Sequence, residues 1–256
     1  MITAGIDIGT RTAKVVIFDD NRVSAFSIRP INDVLSRLSK QVFKSTLKQA
    51  GIRRRQVRRI GVTGYGQRQV KFADRCVTTP LCIASAAHYL DKTVRTVIDV
   101  GGLITRVILI NESGTVADSV ENEKCASGSG RFLEMIADAL ELPIERIGNE
   151  SLKALRPLKL SGQCVVFAES EVISHVNADE PAADILAGLH RAIAQRVSSL
   201  AGKTGFKPPV AVIGGVACNS GVMYYLEKEL AANIKPLPVD PQIVGALGAA
   251  LLARKQ

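Results

Sequence analysis

No apolar stretch in this 256-residue chain reaches the roughly 18 residues of a membrane span. A secretory leader is missing too: Met1 runs straight into a strand pattern, with no charged segment followed by an apolar one. Together these absences point to a cytoplasmic protein. Cysteine is scarce, at five, with no CxxC pair and no zinc-type spacing, which argues against a secreted disulfide framework and a zinc module. Aromatics make up only 4%, and no aromatic-rich strand pair offers a nucleic-acid platform.

What is present suits a globular protein with a large core and one or two domains: 46% of the residues are apolar and 22% charged. The net charge of +9 is unevenly placed. Residues 1–75 hold 16 Lys and Arg against 5 Asp and Glu, or +11, and the remainder holds 17 against 19, or −2. Much of the excess lies in the run Arg53-Arg-Arg-Gln-Val-Arg-Arg59. Such a patch can bind nucleic acid, an acidic protein or a phosphorylated ligand, or can simply be a solvated helix-to-strand junction. Without aromatics or zinc spacing, nucleic acid is set aside, and docking of an acidic partner is the sharper reading.

Hydrophobic periodicity organises the chain. Ile2–Phe18 reads as strand, turn and strand, and polar residues 19–22 as the next turn. Residues 31–50 have helical spacing that Gly51 stops. Arg59–Thr63 is a short strand leading into Gly64-Tyr-Gly66, and 80–90 reads as a helix. A second strand–turn–strand unit follows at Val94–Ile110. Helices are expected over about 126–141, 165–177, 182–203, 219–232 and 243–254, with Leu152–Leu160 a connection and Pro208–Ile213 a buried strand. Two Asp-x-Gly hairpins separated by helices predict an α/β protein of two similar lobes. Lobe I takes residues 1–92 and 241–256 and lobe II takes 93–240; the cleft between such lobes is a natural ligand site.

The first hairpin contains Asp7-Ile-Gly9-Thr10-Arg11-Thr12-Ala13-Lys14. Glycine in such a turn lets backbone N–H groups approach phosphate oxygens, the threonines add hydroxyl donors, and Lys14 adds a point charge. Asp7 suits a hydrated Mg²⁺, which prefers a few carboxylates and several waters. The second hairpin, Asp99-Val-Gly101-Gly102, supplies a matching acid and glycines. A third element, Val212-Ile-Gly214-Gly215-Val216-Ala-Cys-Asn219, runs a strand into paired glycines and then a helix, where a base and ribose can lie against the backbone. An ordinary turn explains any one of these; all three in this order are harder to dismiss. Two cysteines also stand where helices begin: Cys125 in Asn122-Glu-Lys-Cys-Ala-Ser-Gly128-Ser-Gly130, and Cys164 in Ser161-Gly-Gln-Cys-Val-Val-Phe-Ala-Glu169. They are half of the four thiolates an iron–sulfur cube usually needs, and a two-fold dimer would supply the rest. Cys76, Cys82 and Cys218 read as small buried hydrophobes.

The order and spacing of these elements resemble the actin, Hsp70 and sugar-kinase superfamily. The cysteine segments narrow this to the activators of 2-hydroxyacyl-CoA dehydratases and the related ATPase subunits of benzoyl-CoA reductase. The resemblance covers nearly the whole chain, up to the closing Asp240-Pro-Gln242-Ile-Val-Gly-Ala-Leu-Gly-Ala-Ala250. It implies a duplicated, two-lobed actin/Hsp70/hexokinase-like (ribonuclease H-like) ATPase fold that takes ATP or ADP with Mg²⁺. Asp7 and Asp99 would be the catalytic acids. Nucleotide would meet Gly9, Thr10, Arg11, Thr12, Lys14, Gly101, Gly102, Gly128, Gly130, Gly214, Gly215, Val216, Asn219 and Gln242. One [4Fe–4S] cluster would bridge a homodimer or related heterodimer through Cys125 and Cys164 of each subunit. The implied activity is ATP-driven transfer of a low-potential electron from a ferredoxin or flavodoxin donor to a partner iron–sulfur dehydratase or reductase.

The chain departs from the family in two places. After Asp99-Val-Gly-Gly102, family members usually continue Gln-Asp-Ser-Lys; here the residues are Leu103-Ile-Thr-Arg106. An upstream stretch that usually holds a Glu and a His-Ala pair is Thr79-Pro-Leu-Cys-Ile-Ala84 here. The expected consequence is retained nucleotide binding with slow or partner-dependent hydrolysis. Two other classes stay open: a small-molecule kinase of the same fold, though no extra acid of a sugar pocket is evident, and a non-hydrolysing nucleotide-binding regulator.

Overall fold

A computed structural model describes residues 1–122, 129–160 and 165–254 of the chain. The chain divides into two compact units. One comprises Met1–Val97, Ile108–Ser119 and Pro236–Gln256; the other comprises Ile98–Val107 and Val120–Lys235. Two sheets share one plan. The first has strands β1 (Thr3–Ile8), β2 (Thr12–Asp19), β3 (Arg22–Pro30), β4 (Arg59–Thr63) and β5 (Arg75–Cys76), in the order β3-β2-β1-β4-β5. The second has β6 (Thr96–Val100), β7 (Thr105–Ile110), β8 (Val116–Glu121) and β9 (Val210–Ile213), in the order β8-β7-β6-β9. In each, three successive strands lie side by side and a later strand joins the first of the three. The hairpin duplication read from the sequence is thus present as a duplicated sheet. Within the first sheet β1 runs antiparallel to β2 and parallel to β4, a register that sets Asp7 opposite both Lys14 and Thr63.

Apolar strand residues and helix stripes form the two cores. In the first unit Ile6, Ile8, Val15, Ile17, Ile60 and Val62 pack with Leu38, Val42, Phe43 and Leu47 of α1 (Leu35–Gln49). The second core combines Ile98, Val100, Val107, Val210 and Val212 with four helices. These are α3 (Gly130–Ala139), α5 (Val165–Asn177), α6 (Ala182–Gly202) and α7 (Ser220–Leu230). A short α4 (Ile144–Ser151) adds Ile147.

The closing helix α8 (Val244–Arg254) lies on β1, β4 and α2 (Thr79–Leu90). Three glycines make this possible. A Cβ on Gly5 would stand 1.8 Å from the Ala246 carbonyl oxygen, one on Gly61 2.1 Å from that of Ala249, and one on Gly248 1.8 Å from that of Cys82. Helix and strand backbones therefore touch with no side chain between them. No helix among the described residues is long and apolar enough to cross a membrane.

Several elements differ from the sequence expectation. β3, β8 and α4 occupy stretches not read as elements. α1 begins at Leu35 rather than near residue 31, because the Ile31 amide bonds back to the Arg11 carbonyl and Val34 serves as the cap. Of the three cysteines expected in the core, Cys82 is buried but Cys76 and Cys218 are exposed. Cys76 sits on a two-residue edge strand, and Cys218 closes the 3₁₀ turn before α7.

Candidate functional site

The two hairpins repeat the same turn hydrogen bond and the same acid-to-cation spacing. In the first, the Gly9 amide donates to the Thr12 carbonyl at 3.0 Å; in the second, the Gly101 amide donates to the Ile104 carbonyl at 2.9 Å. Thr10 and Arg11 lie in the first turn. Lys14 returns across the ladder to Asp7, with Nζ 3.2 Å from Oδ2 and both side chains 13% exposed. Seven residues after Asp99, as Lys14 is seven after Asp7, Arg106 returns in the same way, with Nη1 3.5 Å from Asp99 Oδ2. Its Nε also reaches Glu121 Oε2 at 2.9 Å. Each acid carries its own cation, and the two cations differ.

Each acid also has its own glycine. Gly64 follows β4 with φ +92°, and a Cβ there would lie 2.3 Å from Asp7 Oδ1 and 2.4 Å from the Ile8 carbonyl oxygen. Gly214 follows β9 with φ +90°, and its Cβ would lie 2.9 Å from Asp99 Oδ1 and 2.4 Å from the Val100 carbonyl oxygen. Only glycine tolerates both that φ and that approach. In the first unit Gly245 of α8 adds a further side-chain-free surface, its Cβ position 3.3 Å from Asp7 Oδ2. Gly9 leaves room for the Lys14 amine, which would lie 3.0 Å from a Cβ there.

Beneath the first hairpin, the Thr63 and Thr79 hydroxyls are 3.2 Å apart. The neighbouring Cys82 thiol is pushed up to about 12 by burial, with Asp7 adding to the rise and the hydrogen bond from Thr63 opposing it. This thiol stays protonated and inert at neutral pH.

In the second unit the structure brings Asp99, Gly101, Gly102, Gly130, Gly214 and Val216 together. The Gly130 amide donates to the Gly101 carbonyl at 2.9 Å and the Arg131 amide to that of Gly102 at 2.8 Å, so the start of α3 is tied to the hairpin turn. A Cβ on Gly130 would meet Val216 Cγ2 at 3.3 Å. Gly215 and Val216 begin the 3₁₀ turn after Gly214. Asn219 has a structural duty: its Oδ1 accepts from the Val222 amide at 3.0 Å and caps α7. Gln242 lies in the first unit, in the 3₁₀ turn before α8, with its amide held by Asp240 Oδ1 at 2.8 Å. Leu103 is 43% exposed at the second turn, and its carbonyl accepts from Asn122 Nδ2 at 3.3 Å.

Cys125, Cys164 and Gly128 lie outside the described residues. The helices that follow the two cysteines in sequence, α3 and α5, share one core through Phe132, Ile136, Ala168 and Val172. Among the described residues no group of three or more His, Cys, Asp or Glu could hold a metal ion. Sequence reasoning missed Gly64, Gly245, Arg106 and Glu121. The first and third were legible in principle, as a glycine directly after a strand and a cation at the Lys14 spacing.

Comparison with known proteins gives the paired hairpins a family context. Residues 4–253 match the BadF/BadG/BcrA/BcrD ATPase family. The chain belongs to that family. The solved activator of the 2-hydroxyisocaproyl-CoA dehydratase from Clostridium difficile, with bound ADPNP, is 35% identical. The match covers 99% of this chain and 94% of that one, with a TM-score of 0.94. The (R)-2-hydroxyglutaryl-CoA dehydratase component A of Acidaminococcus fermentans is 36% identical over 100% of this chain and 98% of its own, with a TM-score of 0.95. A ROK hexokinase from Thermus thermophilus, 15% identical with a TM-score of 0.55 over 99% and 98% of the two chains, shares the fold alone. The expected mixed α/β, actin/hexokinase-like fold is the one found.

Proposed function

We propose that this family member is an ATP-dependent electron-transfer activator. It would pass a low-potential electron from a ferredoxin- or flavodoxin-like donor to a partner iron–sulfur dehydratase or reductase. The observation that carries this reading is the pair of matched hairpins, Asp7 with Lys14 and Asp99 with Arg106, in a chain whose two helix-leading cysteines precede helices that pack together. The hairpin turns offer backbone and threonine donors to the phosphates of ATP or ADP, Lys14 and Arg106 offer charge, and Asp7 orients hydrated Mg²⁺. Gly214, Gly215 and Val216 form the surface for the base and ribose, and Gly130 holds the second turn in place. In this reading lobe I comprises residues 1–92 and 241–256 and lobe II residues 93–240.

Cys125 and Cys164 of two subunits would hold one [4Fe–4S] cluster, which supplies the one-electron carrier. The thiolates would precede the N-termini of α3 and α5, where amide groups and the helix dipole favour negative charge. Phe167, Ile173 and Val176 are exposed apolar residues of α5, at 71%, 46% and 39%, and they support a dimer in which this helix meets a second subunit. The exposed Leu103 in the second turn favours a second reading, a nucleotide-binding regulator that does not hydrolyse.

The test is anaerobic purification with iron, sulfide and mass analysis of the wild type, Cys125→Ser and Cys164→Ser. The activator reading expects about four irons per dimer, lost in either variant, as for one cube with two ligands from each chain. A chain that holds no iron after reconstitution would sink it and leave the regulator.

A further inference from the structure

We infer that the outer face of α1 is a docking surface for an acidic helix of a partner protein. From Val34 to Ala73 the chain holds eleven Lys and Arg and no Asp or Glu. The fold gathers part of this charge on one helix. Arg37, Lys40, Lys44 and Lys48 recur at steps of three and four residues, so they share one face of α1, and all four are exposed. Leu38, Val42, Phe43 and Leu47, which hold the helix to the first sheet, lie on the other side. Gln41 and Ser45, also exposed, border the cations on one flank. Arg54 borders them on the other, with its guanidinium 6.0 Å from the centre of the Phe43 ring.

Little neutralises this face. Arg37 Nη1 reaches Asp33 Oδ1 at 3.3 Å, just before the helix begins. Lys40, Lys44 and Lys48 make no ion pair among the described residues. β3, which packs beside α1, holds Arg22 and Arg29 and no acid. Like charges four residues apart oppose a helix, and a face that meets only water usually mixes both signs. The acid-free row is therefore unfavourable in the isolated chain, and a bound anionic surface relieves it. The strand pleat sets this face apart from the phosphate hairpin. Ile6 and Ile8 pack with α1, whereas Gly5 and Asp7 meet α8 on the other side of the sheet.

The spacing selects the partner. Lys40, Lys44 and Lys48 stand about 6 Å apart along the helix axis. A helix with Asp or Glu at every fourth position repeats that rise, so when laid alongside α1 it offers each lysine a carboxylate. The phosphates of a duplex wind around its axis and leave a straight row of cations after a short run. The single aromatic of α1, Phe43, is buried, so nothing on the helix would stack a base of a single strand. Firm seating on an anionic membrane needs apolar residues to insert, and those of α1 are buried in the core. This inference stands whether or not the electron-transfer reading holds.

The test is fluorescence anisotropy of a labelled, alanine-based helical peptide with Glu at every fourth position, titrated with the full chain at low salt and saturating ADP. The expected result is one peptide per chain, with affinity that falls as salt rises. Lys40→Gln/Lys44→Gln/Lys48→Gln changes exposed side chains only. It weakens binding roughly tenfold or more, with ADP affinity unchanged and a melting temperature no lower than that of the wild type. Lys92→Gln/Lys159→Gln/Lys203→Gln removes the same charge from other exposed positions and weakens binding less than about twofold. A peptide of the same composition with Glu spread around the helix binds more weakly than the patterned one. No binding of the patterned peptide, or equal loss in the two triple variants, would overturn the surface. Tighter binding of a short DNA duplex than of the peptide, lost in the α1 variant, would overturn the partner class in favour of a nucleic acid.

Discussion

Gly64 and Gly214 each combine a positive φ with an acid so close that an added Cβ would fall inside contact distance. Gly64→Ala and Gly214→Ala should each cost on the order of 1–3 kcal/mol for the backbone alone, and more because a backbone carbonyl must move. Melting temperature and ADP affinity should fall together in both variants; a variant that melts like the wild type would show that the turn can relax.

His190 makes a second residue-scale prediction. It is fully buried in the second unit, its Nδ1 bonds the Leu186 carbonyl at 2.6 Å, and its Nε2 has no partner among the described residues. Burial lowers its pKa from 6.5 to about 4, with the backbone bond opposing the shift only in part. The fold therefore favours the neutral ring, while the unfolded chain takes up a proton below 6.5. The stability tied to neutral His190 is complete above pH 6.5 and is lost as pH falls from there towards 4. It amounts to roughly 3 kcal/mol. Urea midpoints measured from pH 7 to pH 4 should fall along that window and flatten in His190→Gln. An equal pH slope in the variant would place the titration elsewhere.

At the scale of elements, legibility followed burial. β1, β2, β4, β6 and β9 are apolar and covered, and their sequences announce them. β3 and β8 are edge strands, with one fully buried residue in β3 and none in β8, so they carry no apolar rhythm. α4 is short and polar on most of its surface. The hairpin residues of the site were readable because they repeat at fixed spacing. Gly245 was not readable, since its nearness to Asp7 depends on how α8 docks. That docking gives a sharp test. Gly5→Ala and Gly248→Ala each place a methyl within 1.8 Å of a backbone oxygen. Overpacking in a core typically costs 1–3 kcal/mol, and backbone cannot rotate aside as a side chain can, so each change should exceed that range. Ala250→Gly in the same helix should cost about 1 kcal/mol. Denaturant unfolding that ranks these variants otherwise would mean that α8 slides to a new seat.

For the molecule as a whole, the fold is that of the family, and the second turn is where the chain is expected to depart from it. In the proposed activator, Leu103 stands where the resemblance set out above implies a glutamine. Leu103→Gln should raise ATP turnover of the isolated protein several-fold, since positioning a water or sensing a phosphate acts on the rate, while ADP affinity stays within about twofold. Unchanged turnover would shift the brake to Arg106 and its tie to Glu121, which Glu121→Gln would then release. How the cysteine segments are arranged was suggested by the sequence alone, and the iron analysis is the measurement that decides it.

The bare contact of α8 with β1, β4 and α2 has a mechanical meaning. Side chains between packed elements act as a cushion, because rotamers can shift and absorb small displacements. Here the cushion is missing at Gly5, Gly61 and Gly248, and peptide planes press directly on peptide planes. A strain arising at Asp7, at the end of β1, has nothing soft in which to dissipate before it reaches the helix. The first unit should therefore behave as a stiff lever, with the amides of α8 and β1 exchanging last and as one block when hydrogen exchange is followed.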